Sequence, residues 1–309
     1  MGRTMLVASA GGHLDELMIM VDMLAVPTED AVWVTSRNAQ TESVLADREV
    51  VWLPRIGSGQ YGLAARAIPA AIGLHRRLRP DLLVSTGALF AAPSLFAARV
   101  MRTETWFVES ATRILGPSAT GRFAQRAAGA RLFMQRPGWD DPRWTVVPSV
   151  FDAFEGIERT PGELRPPTKV VVSLGSEVWP FVRAIESVRR LLPDAEIVWQ
   201  TGTTRYDVDG EPLRQWVPAA ELRHAMASAD LIVTHAGVGS VLASLECGKV
   251  PVVLPRLNAR GEHVDDHQRE FADMVSGRGL AVSVDPDELS LDDLIAATSR
   301  SVRKREIFD

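Results

Sequence analysis

The sequence predicts two α/β domains, each a doubly wound parallel sheet with helices on both faces. Short β-branched and apolar runs alternate with helical patterns along the whole chain. That alternation lapses once, near 155–168, in EGIERTPGELRPPT, whose prolines, acids and sparse apolar groups read as a linker. With 309 residues, 46% hydrophobic and 24% charged, each half can bury its own core.

In the first half, strands are expected at 5–9, 31–35, 50–53, 82–85, 105–108, 131–134 and 145–147. Helices lie between them, for example at 14–24 and 64–78. In the second half the expected strands are 169–173, 197–200, 231–234, 252–254 and 281–284. The domains are therefore expected at 1–155 and 166–309, with a hinge near 160. Sheets of this kind bind ligands outside the carboxyl ends of their strands, which directs attention to the loops that follow them.

Charge is unevenly divided. Residues 1–150 carry 16 Arg and no Lys against 13 acids, while the remainder carries 18 basic and 26 acidic residues. A slightly basic half suits an anionic partner, but the chain lacks the charge of a nucleic-acid binder. The single Cys247 excludes an internal disulfide framework and reads as a packing residue in an apolar helix. No apolar run approaches the roughly 18 residues that span a bilayer. MGRTMLVASAGGH is too short in its apolar part for a signal peptide and reads as a first strand. The expected location is the cytoplasm, with contact to the inner membrane face from the side. The candidate for that contact is GLAARAIPAAIGLHRRLRP, apolar residues interleaved with Arg66, His75, Arg76, Arg77 and Arg79.

Four loops after strands of the second half are rich in Gly, Ser, Thr and His. VVVSLGSE places Gly175 and Ser176 before a helix, where backbone N–H groups can meet a phosphate. VWQTGTT places Gln200 and Gly202 after the next strand. LIVTHAGVGSVLASLECG places His235, Gly237, Gly239 and Ser240 at another helix start suited to a diphosphate. RLNARGEHVDDHQ runs from Arg256 to His263, Asp265, Asp266, His267 and Gln268, side chains able to hydrogen-bond several sugar hydroxyls. Asp207 and Asp209 read as a turn ending in DGEP, and the Cys/His spacing fits no zinc site, so neither a metal nor a cofactor is expected.

HAGVGS, the following Gly248-Lys249 and HVDDHQ resemble the nucleotide-sugar domain of a two-subunit UDP-GlcNAc transferase, the enzyme of dolichol-linked oligosaccharide assembly. They are more similar still to the matching bacterial exopolysaccharide enzymes. The same domain is related to the transferase that completes lipid II in peptidoglycan synthesis. The resemblance covers roughly 169–284. Many relatives carry a Glu for the ribose hydroxyls where Ala243 stands here, and Glu246, one turn later, is the candidate replacement.

The first half opens with SAGGHLDEL, where Gly11 and Gly12 permit a tight turn and His13 starts a helix. A histidine there can take a proton from an attacking hydroxyl. This opening, then Glu109, Ser110 and Arg113 in VESATR, Ser118, Thr120 and Gly121 in SATG, and Gln135, resemble the partner subunit of the same two-subunit enzyme over about 5–138.

Both subunits thus appear as halves of one chain. The resemblance implies the GT-B arrangement, two Rossmann-like domains facing each other across a cleft. It implies an inverting, metal-independent transfer from a nucleotide-sugar, most simply UDP-linked, to a polyprenyl-diphosphate-linked acceptor. Catalysis falls to His13 or Glu109. Gly11, Gly12, Arg113, Ser118 and Thr120 face the acceptor, and backbone near Val217 in QWVP reads the base. The competing readings are a nucleotide-sugar epimerase of the same architecture and a non-catalytic binding subunit.

Overall fold

The computed structural model describes residues 2–158, 165–175, 179–263 and 266–305. It divides into two compact units, Met1–Val150 and Phe151–Asp309.

The first unit runs β1 (Thr4–Ala8), α1 (Gly12–Met23), β2 (Val32–Ser36), α2 (Ala39–Val44), β3 (Glu49–Leu53), α3 (Tyr61–Leu78) and β4 (Leu82–Gly87). It continues with α4 (Ala92–Met101), β5 (Glu104–Val108), α5 (Ala119–Phe123), β6 (Arg131–Met134) and β7 (Trp144–Val146). All seven strands pair in parallel in the order β3-β2-β1-β4-β5-β6-β7. The strands are buried on both faces, and side chains alternate between them. Met5 and Val7 pack on one side with Leu74 of α3 and Leu95 of α4. Leu6 and Ala8 pack on the other with Leu14, Leu17 and Val21 of α1.

The second unit holds β8 (Phe154–Glu158), β9 (Lys169–Ser173), α6 (Val182–Leu191), β10 (Glu196–Gln200), β11 (Asp207–Val208) and β12 (Glu211–Pro212). Then come α7 (Ala219–Ser228), β13 (Leu231–His235), α8 (Val238–Glu246), β14 (Val252–Leu254), α9 (His267–Gly277), β15 (Val282–Ser283), α10 (Leu291–Thr298) and β16 (Arg300–Lys304). Its main sheet is parallel, in the order β10-β9-β13-β14-β15. Val170 and Val172 pack against α6 and α10, and Val171 packs towards Met226 of α7.

Two features depart from the expected elements. Residues 155–158 belong to the stretch read as a linker, yet with Phe154 they form β8, which pairs antiparallel with β16 from the far end of the chain. β11 and β12 form a hairpin whose turn places Asp209 at φ 53° and Gly210 at φ 86°. Both values are those of a tight hairpin turn, which is where Asp-Gly belongs.

Each sheet reverses its strand order once. The reversal lies between β1 and β4 in the first unit and between β9 and β13 in the second. Loops leaving neighbouring strands there diverge to opposite faces and leave a crevice at the carboxyl edge. The GGH motif follows β1, and the LGS and HAGVGS motifs follow β9 and β13.

Candidate functional site

In the first unit, His13 stands at the reversal. Gly11 caps α1 at φ 91°, a left-handed conformation open to glycine, and turns the chain from β1 into the helix. His13 Nδ1 lies 2.9 Å from the Thr86 carbonyl at the end of β4, and Thr86 Oγ1 returns a 2.6 Å bond to the His13 carbonyl. A carbonyl only accepts, so Nδ1 carries the proton and Nε2 keeps its lone pair. The side chain retains 32% exposure. Burial of most of the ring, opposed by the Thr86 bond and aided by the charge of Arg113, lowers its pKa to about 4. Beside Thr86 the chain passes through Ala88 at φ 59°, ψ 165°, a strained conformation for a residue with a Cβ.

Behind His13 lies a buried polar network. Glu16, one turn along α1 and 1% exposed, accepts the Ala111 N–H at 2.7 Å and Gln135 Nε2 at 3.2 Å. Gln135 also donates to the Glu109 carbonyl and accepts the Val150 N–H. Glu109, 2% exposed, accepts the Ser118 N–H at 2.8 Å, and its carboxylate presses on Gly121, where any Cβ would overlap it. Burial raises the Glu109 pKa and outweighs the opposing bonds from Ser118 and the charge of Arg113. Ser118 caps α5 through the Gly121 N–H, and Thr120 is buried beneath it.

In the second unit, His235 ends β13, and its imidazole fills the space between Gly175 and Gly237; a Cβ on either glycine would overlap the ring. The two glycines are there to admit the ring as well as to free the backbone. Burial, then the nearby Arg256 charge, lowers the His235 pKa to about 3, so it is a neutral imidazole. Gly237 caps α8, whose first N–H groups, including those of Gly239 and Ser240, have no partner within the helix. Free N–H groups of this kind at a helix start suit an anion.

Residues 255–263, which follow β14, are tied to α6 by ion pairs. Arg183 of α6 makes a two-pronged ion pair with Glu262 at 2.9 Å on each arm and reaches Asp285 at 2.6 Å. Glu262 in turn accepts the Leu257 N–H. His263 packs between Trp179 and His267, with ring centroids 5.3 and 4.6 Å away. Asp266 is exposed at the start of α9 and also accepts the Asn258 N–H at 2.9 Å.

A model of the glycosyltransferase family 28 C-terminal domain matches residues 170–307. That segment is a family 28 domain. The chain is 29% identical over 260 residues to a UDP-N-acetylglucosamine–N-acetylmuramyl-(pentapeptide) pyrophosphoryl-undecaprenol N-acetylglucosamine transferase of Chlorobium luteolum, covering 78% of this chain and 69% of that protein. Its counterpart in Salinibacter ruber is 27% identical and covers 98% of this chain and 90% of the relative. The crystal structure of Acinetobacter baumannii MurG superposes with a TM-score of 0.57 at 18% identity, covering 96% and 89% of the two chains. The chain is thus a glycosyltransferase, and its fold is that of GT-B enzymes.

Within this matched segment, His235 packs against Gly175 and Gly237, Gly239 and Ser240 lie in the first turn of α8, and Asp266 and His267 stand at the start of α9. Ser176 and Asp265 lie outside the described residues. Arg256, 1% exposed, is bound by the carbonyls of Leu174 and Trp179 and stacks on Phe181, so its guanidinium braces the first loop from beneath. Gln200 bridges Ser173 Oγ and the Val217 N–H, and the Gly202 N–H is bonded to the Gln215 carbonyl. Gln268 is buried with its Oε1 on the Arg256 N–H. Arg256, Gln200, Gly202 and Gln268 thus brace backbone of these loops through their own bonds. The Val217 N–H is likewise engaged, by Gln200 Oε1. Ala243 packs towards Leu222 and Ala225 of α7, and Glu246 is exposed at the end of α8.

Two residues were not singled out from the sequence. Glu16 reads there as an acid near a helix start, and only burial reveals its role. Trp216, 56% exposed beside Val217, has the signal of an aromatic in a polar loop.

Proposed function

We propose that the chain transfers N-acetylglucosamine, with inversion, from its UDP-linked form to a sugar hydroxyl on a polyprenyl-diphosphate carrier. The donor belongs to the second unit and the acceptor to the first. The named relatives support both substrate classes. The observation that carries the mechanism is the Nδ1–H bond from His13 to Thr86, which leaves Nε2 as a proton acceptor at the strand reversal.

In this reading, His13 Nε2 takes the proton of the acceptor hydroxyl. The oxygen attacks the anomeric carbon as the bond from that carbon to the diphosphate oxygen breaks, and UDP leaves. N–H groups at the start of α8 stabilise the charge on the departing diphosphate. Asp266 and His267 hold sugar hydroxyls, and Trp216 offers a stacking face to the base. Glu109, enclosed by the 118–121 turn, positions that turn and is not the base.

We also place the first unit on an anionic membrane surface at the inner face. Tyr61, Leu63, Val100 and Met101 are exposed on α3 and α4 beside exposed Arg66, Arg76, Arg77, Arg99 and Arg102. Among the described residues no helix is long and apolar enough to cross a membrane.

The test measures UDP release from UDP-GlcNAc with a short-chain polyprenyl-diphosphate sugar as acceptor. His13→Ala is expected to lower kcat by roughly 100- to 10,000-fold, with calorimetric UDP affinity unchanged. Retention of more than about a tenth of the parent turnover removes His13 from the role. Release of UDP without acceptor, with epimerised sugar as product, returns the epimerase reading.

A further inference from the structure

The two N-terminal motifs, GGH at the start of α1 and VESxxR after β5, meet at one buried carboxylate. Glu16 projects from α1 three residues after His13, and its Oε2 lies 3.8 Å from His13 Nδ1. Its Oε1 accepts the backbone N–H of Ala111, inside the VESATR segment, and the amide of Gln135 at the end of β6. A carboxyl placed there is costly to bury unless its contacts offset the lost hydration. Its neighbours include a histidine, a backbone N–H, a carboxamide and the Ser110 hydroxyl.

We propose that Glu16 is the positioning residue of the base: it balances the positive charge that His13 acquires when it takes the acceptor proton. Through Ala111 and Gln135 it also fixes the acceptor segment relative to that base. This rests on the reading of His13 as base. Nothing is transferred to Glu16 itself. The proton moves from the acceptor hydroxyl to His13 Nε2, Nδ1–H stays on the Thr86 carbonyl, and Glu16 supplies the counter-charge from behind the ring. At 3.8 Å, in a site closed to water on the Glu16 side, an ionised carboxylate interacts strongly with an imidazolium and hardly at all with the neutral ring. The stabilisation therefore appears in the transition state and not in the resting enzyme, which is the condition for raising kcat.

The charged groups facing Glu16 are His13 from its own helix and Glu109, with Arg113 further along the same segment and beside both; Ser110 and Gln135 are the polar neutral neighbours. Burial first, and Glu109 last, raise the Glu16 pKa to about 7, against the bonds from Ala111, Ser110 and Gln135. The counter-charge is then present only in the upper part of the physiological range, and kcat should rise with pH as Glu16 ionises.

The experiment compares the parent chain, Glu16→Gln and Glu16→Asp at pH 5.5 to 9, with kcat and the KM of each substrate measured separately. Glu16→Gln keeps the shape and the bonds from Ala111 and Gln135 to its Oε1 but not the charge. Its kcat should fall by up to about 10,000-fold, the loss seen when the carboxylate that orients a catalytic histidine is neutralised. The inflection near pH 7 should vanish, and UDP affinity and the donor KM should not change. Glu16→Asp, with the charge retained on a shorter stem, should recover part of kcat and keep an inflection. A Glu16→Gln enzyme with the parent's kcat and pH profile overturns the proposal. So does a variant whose only change is a raised acceptor KM, because that shows a purely structural role. His13→Ala, assayed alongside, separates this failure from that of the base assignment. An inactive His13→Ala with an unaffected Glu16→Gln sinks only the role of Glu16.

Discussion

At the scale of single residues, the site is governed by which polar groups are engaged and which are left for a ligand. His13 illustrates this, because one bond to Thr86 selects its tautomer and thereby its chemistry. His235 illustrates the converse. Its ring is wedged against two glycines, so enlarging Gly175 or Gly237 displaces the ring before it obstructs any phosphate. Gly237→Ala should therefore lower both UDP affinity and thermal stability, the latter by about 1–3 kcal/mol. Calorimetry and melting measured together check the pairing; a fully stable variant that has lost UDP would show that the ring is not the obstacle. Trp216 offers a cleaner test, because its exposed side chain contributes little to the core. Trp216→Ala should weaken UDP binding about 3- to 10-fold, the worth of an aromatic stack, with an unchanged melting temperature. Equal affinity in the variant would move the base elsewhere.

At the scale of elements, the loop before α9 owes its shape to Arg183. Its guanidinium is shared by Glu262, Asp285 and Asp287, and Glu262 is nearly buried. Removing one partner of such a pair leaves an uncompensated charge, so Arg183→Met should cost about 3–5 kcal/mol. Arg183→Met combined with Glu262→Gln should regain part of it, and urea unfolding of both variants decides. On α3 and α4, Leu63→Glu with Val100→Glu should abolish sedimentation with anionic vesicles while leaving UDP affinity intact; retained binding would direct membrane contact elsewhere. Most of these elements were legible in the sequence. β1, β9 and β13 are β-branched runs buried on both faces, and their glycine-rich exits mark the helix starts that follow. What stayed hidden depends on partners distant in the chain. β8 is a five-residue strand in a polar, glycine-containing stretch, and it exists because β16 pairs with it from the other end. Gln200, Arg256 and Gln268 have the residue types of ligands, and only the geometry shows them bracing backbone. Glu16 was illegible for the same reason, since acids near a helix start are ordinary.

At the scale of the whole molecule, buried titratable groups with opposing shifts shape stability against pH. Glu16 releases its proton at about 7 in the folded chain and at 4.5 ordinarily. Between those values the folded state holds more protons than the unfolded, so the stability from this group is complete below 4.5 and lost as pH rises to 7. His13 acts in the opposite sense. It titrates at about 4 folded and 6.5 unfolded, so the unfolded state binds more protons in that window and stability rises with pH. His235, at about 3 when folded, adds a second rise ending at 6.5. His75, lowered by burial, adds to the rising side, and Glu109, raised by burial, adds to the falling one. The falling share of Glu16 persists up to about 7, above the range in which His13 and His235 act. Glu16→Gln removes the falling share. Its stability relative to the parent should therefore grow by about 3 kcal/mol between pH 4.5 and pH 8, at about 1.4 kcal/mol per pKa unit. His235→Asn should flatten the acid limb instead. The measurement is denaturant unfolding of the three proteins across that range; a constant offset between parent and Glu16→Gln at every pH would show that the carboxyl titrates alike in both states.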